Sequence, residues 1–465
     1  MPLDAATVVK INKVKDKIRS EEARKQRSLN RLRMLKDDYK ALVKEKLKNY
    51  VSIETFTKLE KIVNATVNVY KAVIDEIARL YTDKPQRVFT SGCKGERGGN
   101  EEQKKWIEDL YRKMKTDQKL KKTCKYVQAL NECLLQVVYR KDEINFDILT
   151  PNVVSIVQEM EDITAPEVVV IDKHYEDSIG IRPLAPLRVV WTGSEHFILD
   201  ENGEHLPINE NDENPYKVMP FVYIHKEIPD CGFWDETTGT DLYDCNLIVG
   251  VLQTLIDYYF VWNSFKQLAI KSEQIPAGIT VAPDKAIHLK GDEDQAFILD
   301  YTQKFKELIG ALREYISMVA VNYGVDWNSI AMMLKEVSGT ALKIKNSKLQ
   351  RIWKDQEKVF IDAEQDLFTL IKVFYRVHYG KELKVELNVK FPSFEMYRDE
   401  KQELDNTQKE LELNLKDLVM AFMERNKSIP NYEEAKAKLM EIINTNNELR
   451  GMVEEPLEKL IKEAV

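Results

Sequence analysis

Six histidines, five cysteines, one serine at a helix start and one glycine-rich loop are where this chain of 465 residues has side chains suited to chemistry. None of them is spaced for it. His174, His196, His205, His225, His288 and His378 contain no HExxH and no close pairing with acidic residues along the chain, so each reads as a structural or surface histidine. Cys93, Cys124, Cys133, Cys231 and Cys245 form no CxxC and no metal-ligand rhythm, and read as reduced thiols. Ser338 lies in no GxSxG elbow; its plain role is to cap a long helix, its oxygen accepting an orphan backbone N–H. The loop Ser91–Asn100 is glycine-rich but lacks the GxxxxGK[ST] spacing that cradles phosphate. Asp292-Glu293-Asp294 lacks the glycine and terminal glutamate of a calcium loop. The expectation is a chain with no catalytic residue, no metal and no cofactor.

With chemistry unassigned, the order of elements carries the functional reading. Residues 5–48 hold no Pro or Gly and are predicted helical, as is the apolar face Val63, Val67, Tyr70, Val73, Ile74, Ile77, Leu80 and Tyr81, with Pro85 as its stop. Residues 101–138 continue as one or two helices. From 137 to 225 the texture becomes short β-branched runs: Asn145–Leu149, Val153–Gln158, Val168–Ile171, Leu187–Trp191, His196–Leu199 and Pro220–Ile224, with a hairpin turn at Asp200–Gly203. Then come a helix over Thr240–Lys271, a Pro/Gly-punctuated excursion, a second helix over Thr302–Tyr323, a short loop, and a helix from Ser338 to Tyr379. Leu383–Phe391 alternates like a strand and Pro392 ends it. The fold class predicted is mainly α with an inserted small β-domain (α+β).

Composition bounds the classes. The chain is 43% hydrophobic and 31% charged, which predicts a folded protein. Its apolar runs are too short and interrupted to span a bilayer, and the N-terminus has no signal-like apolar stretch, which predicts a soluble intracellular protein with no membrane partner. Residues 1–48 carry fifteen Lys/Arg against seven Asp/Glu, a net of +8 in a chain of net −8, so the remainder is −16. The basic segment reads either as a docking surface for an anionic partner or as a salt-bridged helix. The acidic remainder suits a surface that DNA passes without sticking, because tight DNA binding needs cations on phosphates.

Several segments, in order, resemble the portal proteins (head–tail connectors) of tailed bacteriophages, above all the compact portals of long-tailed phages and prophages of Gram-positive bacteria. They are Asn64–Asp75 with Leu80–Pro85; Asp147-Ile148-Leu149-Thr150-Pro151 followed by Val153; Met219-Pro220-Phe221-Val222 with Gly239–Leu242 and Leu255–Asp257; Glu336–Lys343, similar to an SG-x-A-L signature; and Pro430–Ala435. Each is weak alone; their order is more specific.

The resemblance implies a map. Residues 1–239 would form the wing, 240–271 and 302–323 the two stem helices, and 272–301 the clip, with Ile275, Pro276, Ile279, Val281, Ile287 and Phe297 available to partners. Residues 324–337 would be the tunnel loop, presenting Asp326, Trp327, Asn328, Ser329, Met332, Met333 and Lys335 to the bore. Residues 338–394 would be the long wing helix, capped by Ser338, with a closing strand, and 395–465 a short crown. It further implies a ring of twelve copies at one capsid vertex of the virion, assembled in the host cytoplasm. Its implied partners are double-stranded DNA passing without sequence reading, the terminase large subunit, a head–tail adaptor, and the scaffold and major capsid proteins. Trp327, Met332 and Met333 would equally suit packing between neighbouring subunits. A helical cytoplasmic scaffold or adaptor without catalysis is one alternative class, and an enzyme with a polar pocket that no motif marks is another.

Overall fold

The computed structural model describes residues 5–91, 100–173, 187–200, 203–206, 212–230, 232–263, 267–271, 295–299, 305–327, 347–392, 407–413, 415–426 and 432–445. The chain divides into two compact units. The larger comprises Met1–Val337 and Ile344–Phe394, the smaller Ser338–Lys343 and Glu395–Val465.

The larger unit opens with helices α1 (Ala5–Ser20), α2 (Glu22–Leu35), α3 (Lys40–Leu47), α4 (Ile53–Leu59) and α5 (Val69–Ile77). The continuous helical reading of residues 5–48 is therefore corrected. Asp37 adopts a left-handed φ of 62°, and its carboxylate receives Asn68 Nδ2 at 2.8 Å and the Lys71 amine. Those long-range partners fix a break that helix propensity does not foresee. The helix expected from Val63 to Pro85 is likewise shorter. Asn68 caps its start, Oδ1 accepting the Lys71 N–H at 2.9 Å, and Pro85 precedes a strand instead of ending a helix.

That strand, β1 (Gln86–Ser91), pairs antiparallel with β12 (Val385–Lys390) far along the chain, a pairing no local pattern announces. Helices α6 (Asn100–Lys113) and α7 (Thr116–Leu130) follow. The β-rich part then begins at Glu132, a few residues before the predicted 137. A three-stranded sheet has the order β3 (Glu143–Leu149), β2 (Glu132–Arg140), β9 (Phe221–His225). A five-stranded antiparallel meander runs through β4 (Val154–Gln158), β5 (Pro166–Lys173), β6 (Leu187–Trp191), β7 (His196–Leu199) and β8 (His205–Leu206). The β7–β8 hairpin turns at the predicted place: Gly203 has φ 78° and its N–H meets the Asp200 carbonyl at 3.0 Å.

Both faces of the meander are covered. Val168, Val170, Val190, Phe197 and Leu199 pack with Ile11 and Val14 of α1, while Ile156, Val169, Val189 and Trp191 pack with Leu134, Phe221, Phe233 and Trp234. Two-sided burial explains the runs of Val and Ile in β5 and β6, where a half-exposed strand would alternate.

After β9 come α8 (Thr240–Asn263), β10 (Gln267–Lys271), β11 (Gln295–Leu299), α9 (Phe305–Asn322) and α10 (Ser347–Tyr379). Helix α10 has 33 residues and is about 50 Å long. Leu349, Trp353, Phe360, Ala363, Leu367, Ile371 and Phe374 are buried along one face, and the helix packs against α5, β12 and the three-stranded sheet. These positions recur at helical spacing in the sequence, the signal of one buried face.

One boundary is overturned. The helix expected over 240–271 ends at Asn263, and Gln267–Lys271 is a strand, paired antiparallel with Gln295–Leu299. Gln-Leu-Ala-Ile-Lys has no strong local preference, so its distant partner decides its form. In the smaller unit, residues 407–412, Leu418–Arg425 and 432–445 are helical. Asp417 accepts the Met420 N–H at 2.6 Å and the Tyr432 hydroxyl at 2.7 Å, tying two of these helices together.

Candidate functional site

The residues nominated from sequence fall unevenly. Asn328, Ser329, Met332, Met333, Lys335 and Ser338 lie outside the described residues, as do Ile275, Pro276, Ile279, Val281 and Ile287. Phe297 sits on β11 in register with Ala269 of β10. Asp326 and Trp327 are half-buried just beyond the end of α9. The structure gathers around that point a set of residues that sequence did not nominate.

Helix α9 ends in a Schellman motif. Gly324 takes φ 69°, the Val325 N–H bonds the Ala320 carbonyl at 3.1 Å, and the Gly324 N–H bonds the Val321 carbonyl at 3.0 Å. Buried Val325 supplies the accompanying apolar contact. The turn leaves no room for a side chain: a Cβ on Gly324 would lie 2.9 Å from the Leu349 backbone nitrogen of α10. The last turn of α9 is also fastened to the first of α8. Asp241 accepts the Tyr323 hydroxyl and, at 3.4 Å, Asn322 Nδ2. Burial, reinforced by the Asp241 carboxylate, pushes the Tyr323 phenol well above its ordinary range. Lys348 of α10 reaches back to the Val321 carbonyl at 3.1 Å. Trp353 and Gln356 both donate to the Ile77 carbonyl of α5, at 3.1 and 3.0 Å. Three helices thus meet at the point where the predicted tunnel loop begins.

No family model matches the chain, and no curated protein matches it. Among solved structures it is similar to a chain in the neck of an empty gene transfer agent (GTA) particle computed with C6 symmetry. That likeness has TM-score 0.43 and 9% identity, covering 79% of this chain and 92% of that one. It is similar to a chain of the native GTA virion at TM-score 0.40 and 9% identity, covering 77% and 88%. A chain in the neck of the native particle computed with C12 symmetry gives 0.39 and 8%, covering 78% and 90%. At these scores the likenesses assign neither a fold nor a role to the chain.

Part of the basic N-terminal segment is ion-paired within the protein. Arg24 and Lys17 meet Glu21, Lys25 meets Asp172 at 2.5 Å, Arg27 meets Glu236, Lys44 meets Glu60 and Lys46 meets Asp244. Salt bridges thus account for part of that segment's charge. At its centre Arg24 lies over the Trp234 ring, 4.1 Å from the centroid, and bonds the Pro151 and Val154 carbonyls at 2.9 and 2.6 Å.

Beside this knot, buried Glu132 accepts the Asp235 N–H, and burial pushes its pKa up to about 8. Its folded value stands above the ordinary one, so its contribution to stability is complete in acid and is lost as pH rises toward 8. From pH 6 to 8 the unfolding free energy of the larger unit is expected to fall by at most about 1.4 kcal/mol per pH unit from this group. Urea titrations of wild type and Glu132→Gln check this: the variant should lack that slope, and parallel profiles would refute it.

His196, His205, His225 and His378 sit in structural places, and His174 and His288 lie outside the described residues. His196 stacks on Trp191 with centroids 3.4 Å apart and His378 stacks on Tyr139 at 3.6 Å; burial holds His196 and His225 down to about 4. One sequence reading is corrected: His205 does have an acidic partner, Asp212 at 2.7 Å, brought near by the fold. Cys124, Cys133 and Cys245 are buried and free. Among the described residues no cluster of His, Cys, Asp and Glu is arranged to hold a metal, and no helix is long and apolar enough to cross a membrane.

Proposed function

We propose that this protein is a portal-type subunit of a tailed bacteriophage particle: twelve copies form a ring at one capsid vertex, around a channel for DNA. The observation that carries the reading is the path from Thr240 to Tyr379. A helix is followed by an antiparallel strand pair and a second helix, which a tight glycine turn ends, and a long helix rooted in the core starts at Ser347.

The returning helix exposes apolar groups that water does not favour. Met318 is 72% exposed and Val321, one turn on, 57%. Neighbouring copies in a closed ring would cover them. In this reading Asp326, Trp327 and the segment up to residue 337 face the bore, where one Lys335 per copy positions a DNA backbone without reading it. The segment beyond β10 docks the terminase large subunit and then the head–tail adaptor; the scaffold and major capsid proteins surround the wing. The role is structural, with no catalysis, played in the virion after assembly in the host cytoplasm.

Light scattering on the purified full chain tests the reading. Twelve copies of 54.2 kDa give a particle of about 650 kDa, whereas a scaffold or adaptor of the alternative class gives a small elongated oligomer.

A further inference from the structure

Helix α8 lies between two flanks of the larger unit. On one side α3 packs close: a Cβ on Gly250 would lie 2.7 Å from Val43 Cγ2, and Lys46 pairs with Asp244 at 3.3 Å. Beyond α3 comes α4, held by the Lys44–Glu60 pair at 2.6 Å and by Lys44 and Lys48 over the Phe56 ring. On another side α9 meets Asp241 through Tyr323 and Cys245 through Tyr315. At 3.6 residues per turn, Gly250 and Cys245 point about 140° apart, so α4 and α9 flank α8 on different sides.

Each flank ends in an exposed helix face. On α9, Glu307, Ala311, Glu314, Met318 and Val321 follow one another at steps of three and four residues, and all are exposed. On α4, Ile53 is 86% exposed. Thr57 and Lys61 continue its face at four-residue steps, with Lys58 beside them and Glu54 next to Ile53. The first face is apolar and acidic, the second apolar at one end and basic at the other. Among the described residues, Glu314, Lys58 and Lys61 make no ion pair within the chain.

We infer that these faces are the two halves of one contact between copies: α9 of one copy lies antiparallel on α4 of the next, with Met318 and Val321 against Ile53 and Glu314 against Lys58 and Lys61. The inference rests on the ring reading of the proposed function and names the surfaces that close the ring. A ring needs a head-to-tail interface, in which each copy offers two different, complementary patches. The α9 and α4 faces supply that pair on different flanks. Their spacing agrees: Met318 to Glu314 spans about 6 Å along its helix, and Ile53 to Lys58 about 7.5 Å. Antiparallel packing therefore sets acid against amine wherever it sets apolar against apolar. A parallel register would carry Glu314 past Ser52, away from both amines.

Thiol cross-linking tests the contact in the full chain with Cys93 and Cys231 replaced by serine; Cys124, Cys133 and Cys245 are buried. Ile53→Cys/Met318→Cys, treated with a short bismaleimide, is expected to give a ladder of covalent oligomers on denaturing gels. Co-expressed Ile53→Cys and Met318→Cys single variants should stop at dimers, and neither alone should cross-link. Glu314→Lys should weaken association at least about tenfold by light scattering, because it sets like charges face to face. Glu314→Lys/Lys58→Glu/Lys61→Glu should restore it, and circular dichroism checks that each variant folds. Annular particles without a ladder, dimers from Met318→Cys alone, or undiminished association of Glu314→Lys would overturn the inference and leave the ring. Absence of any assembly would overturn both.

Discussion

Replacing Arg87 by methionine is expected to destabilise the larger unit by about 3–5 kcal/mol, because it leaves a carboxylate charged and buried without its counter-ion. Glu364 lies on the inner face of α10 and is fully buried. Arg87 on β1 grips it with two nitrogens, Nε at 2.5 Å and Nη2 at 3.0 Å, and reaches Asp117 at the start of α7 at 2.5 Å. Tyr81 adds its hydroxyl to Glu364 at 2.8 Å. The two carboxylates hold the guanidinium pKa above even its usual value despite burial.

One charge cluster thus joins the strand after α5, helix α7 and the long helix. Without Arg87, Glu364 keeps only the tyrosine, and must take up a proton or draw in water. The double variant Arg87→Met/Glu364→Leu removes both charges and should recover most of the loss, since apolar replacement of a buried pair is often nearly neutral. Urea denaturation of the three proteins measures this. A loss below about 1 kcal/mol in Arg87→Met would mean that Glu364 is not held as a buried ion.

The second large effect concerns assembly. Met318→Glu with Val321→Glu places two carboxylates on the exposed face of α9, repeated in every copy. If neighbouring copies cover that face, each interface must bury or repel these charges, at a cost of at least about 2 kcal/mol, or roughly 30-fold in association. The closed ring should give way to monomers with unchanged helical content, because both positions are solvent-exposed within a single chain. Light scattering with circular dichroism reads both quantities. An assembly of undiminished mass would remove α9 from the interface.

Local signals were sufficient where burial follows one chain segment. The strands β6 and β7 fall on the predicted residues, and the stripe from Leu349 to Phe374 is the buried face of α10. Signals failed where a distant partner decides. Gln86–Ser91 becomes a strand only because Val385–Lys390 lies alongside. Gln267–Lys271 leaves the helical state for Gln295–Leu299. Asp37 breaks the basic helical segment through Asn68 and Lys71.

The candidate site shows the same division. Tyr323-Gly324 after an apolar helix is a readable stop signal. Asp241, well over fifty residues earlier, joins Tyr323 only through the fold, and nothing in its own neighbourhood marks it. Glu364 is hidden for another reason. A lone acid in an apolar stripe looks like an interruption until Arg87 is seen opposite it.

A ring around a channel is seen directly by electron microscopy of the purified full chain. Annular particles with an open central hole and rotational symmetry near twelvefold are expected. Compact dimers or elongated particles, with no annulus at any protein concentration, would contradict the ring.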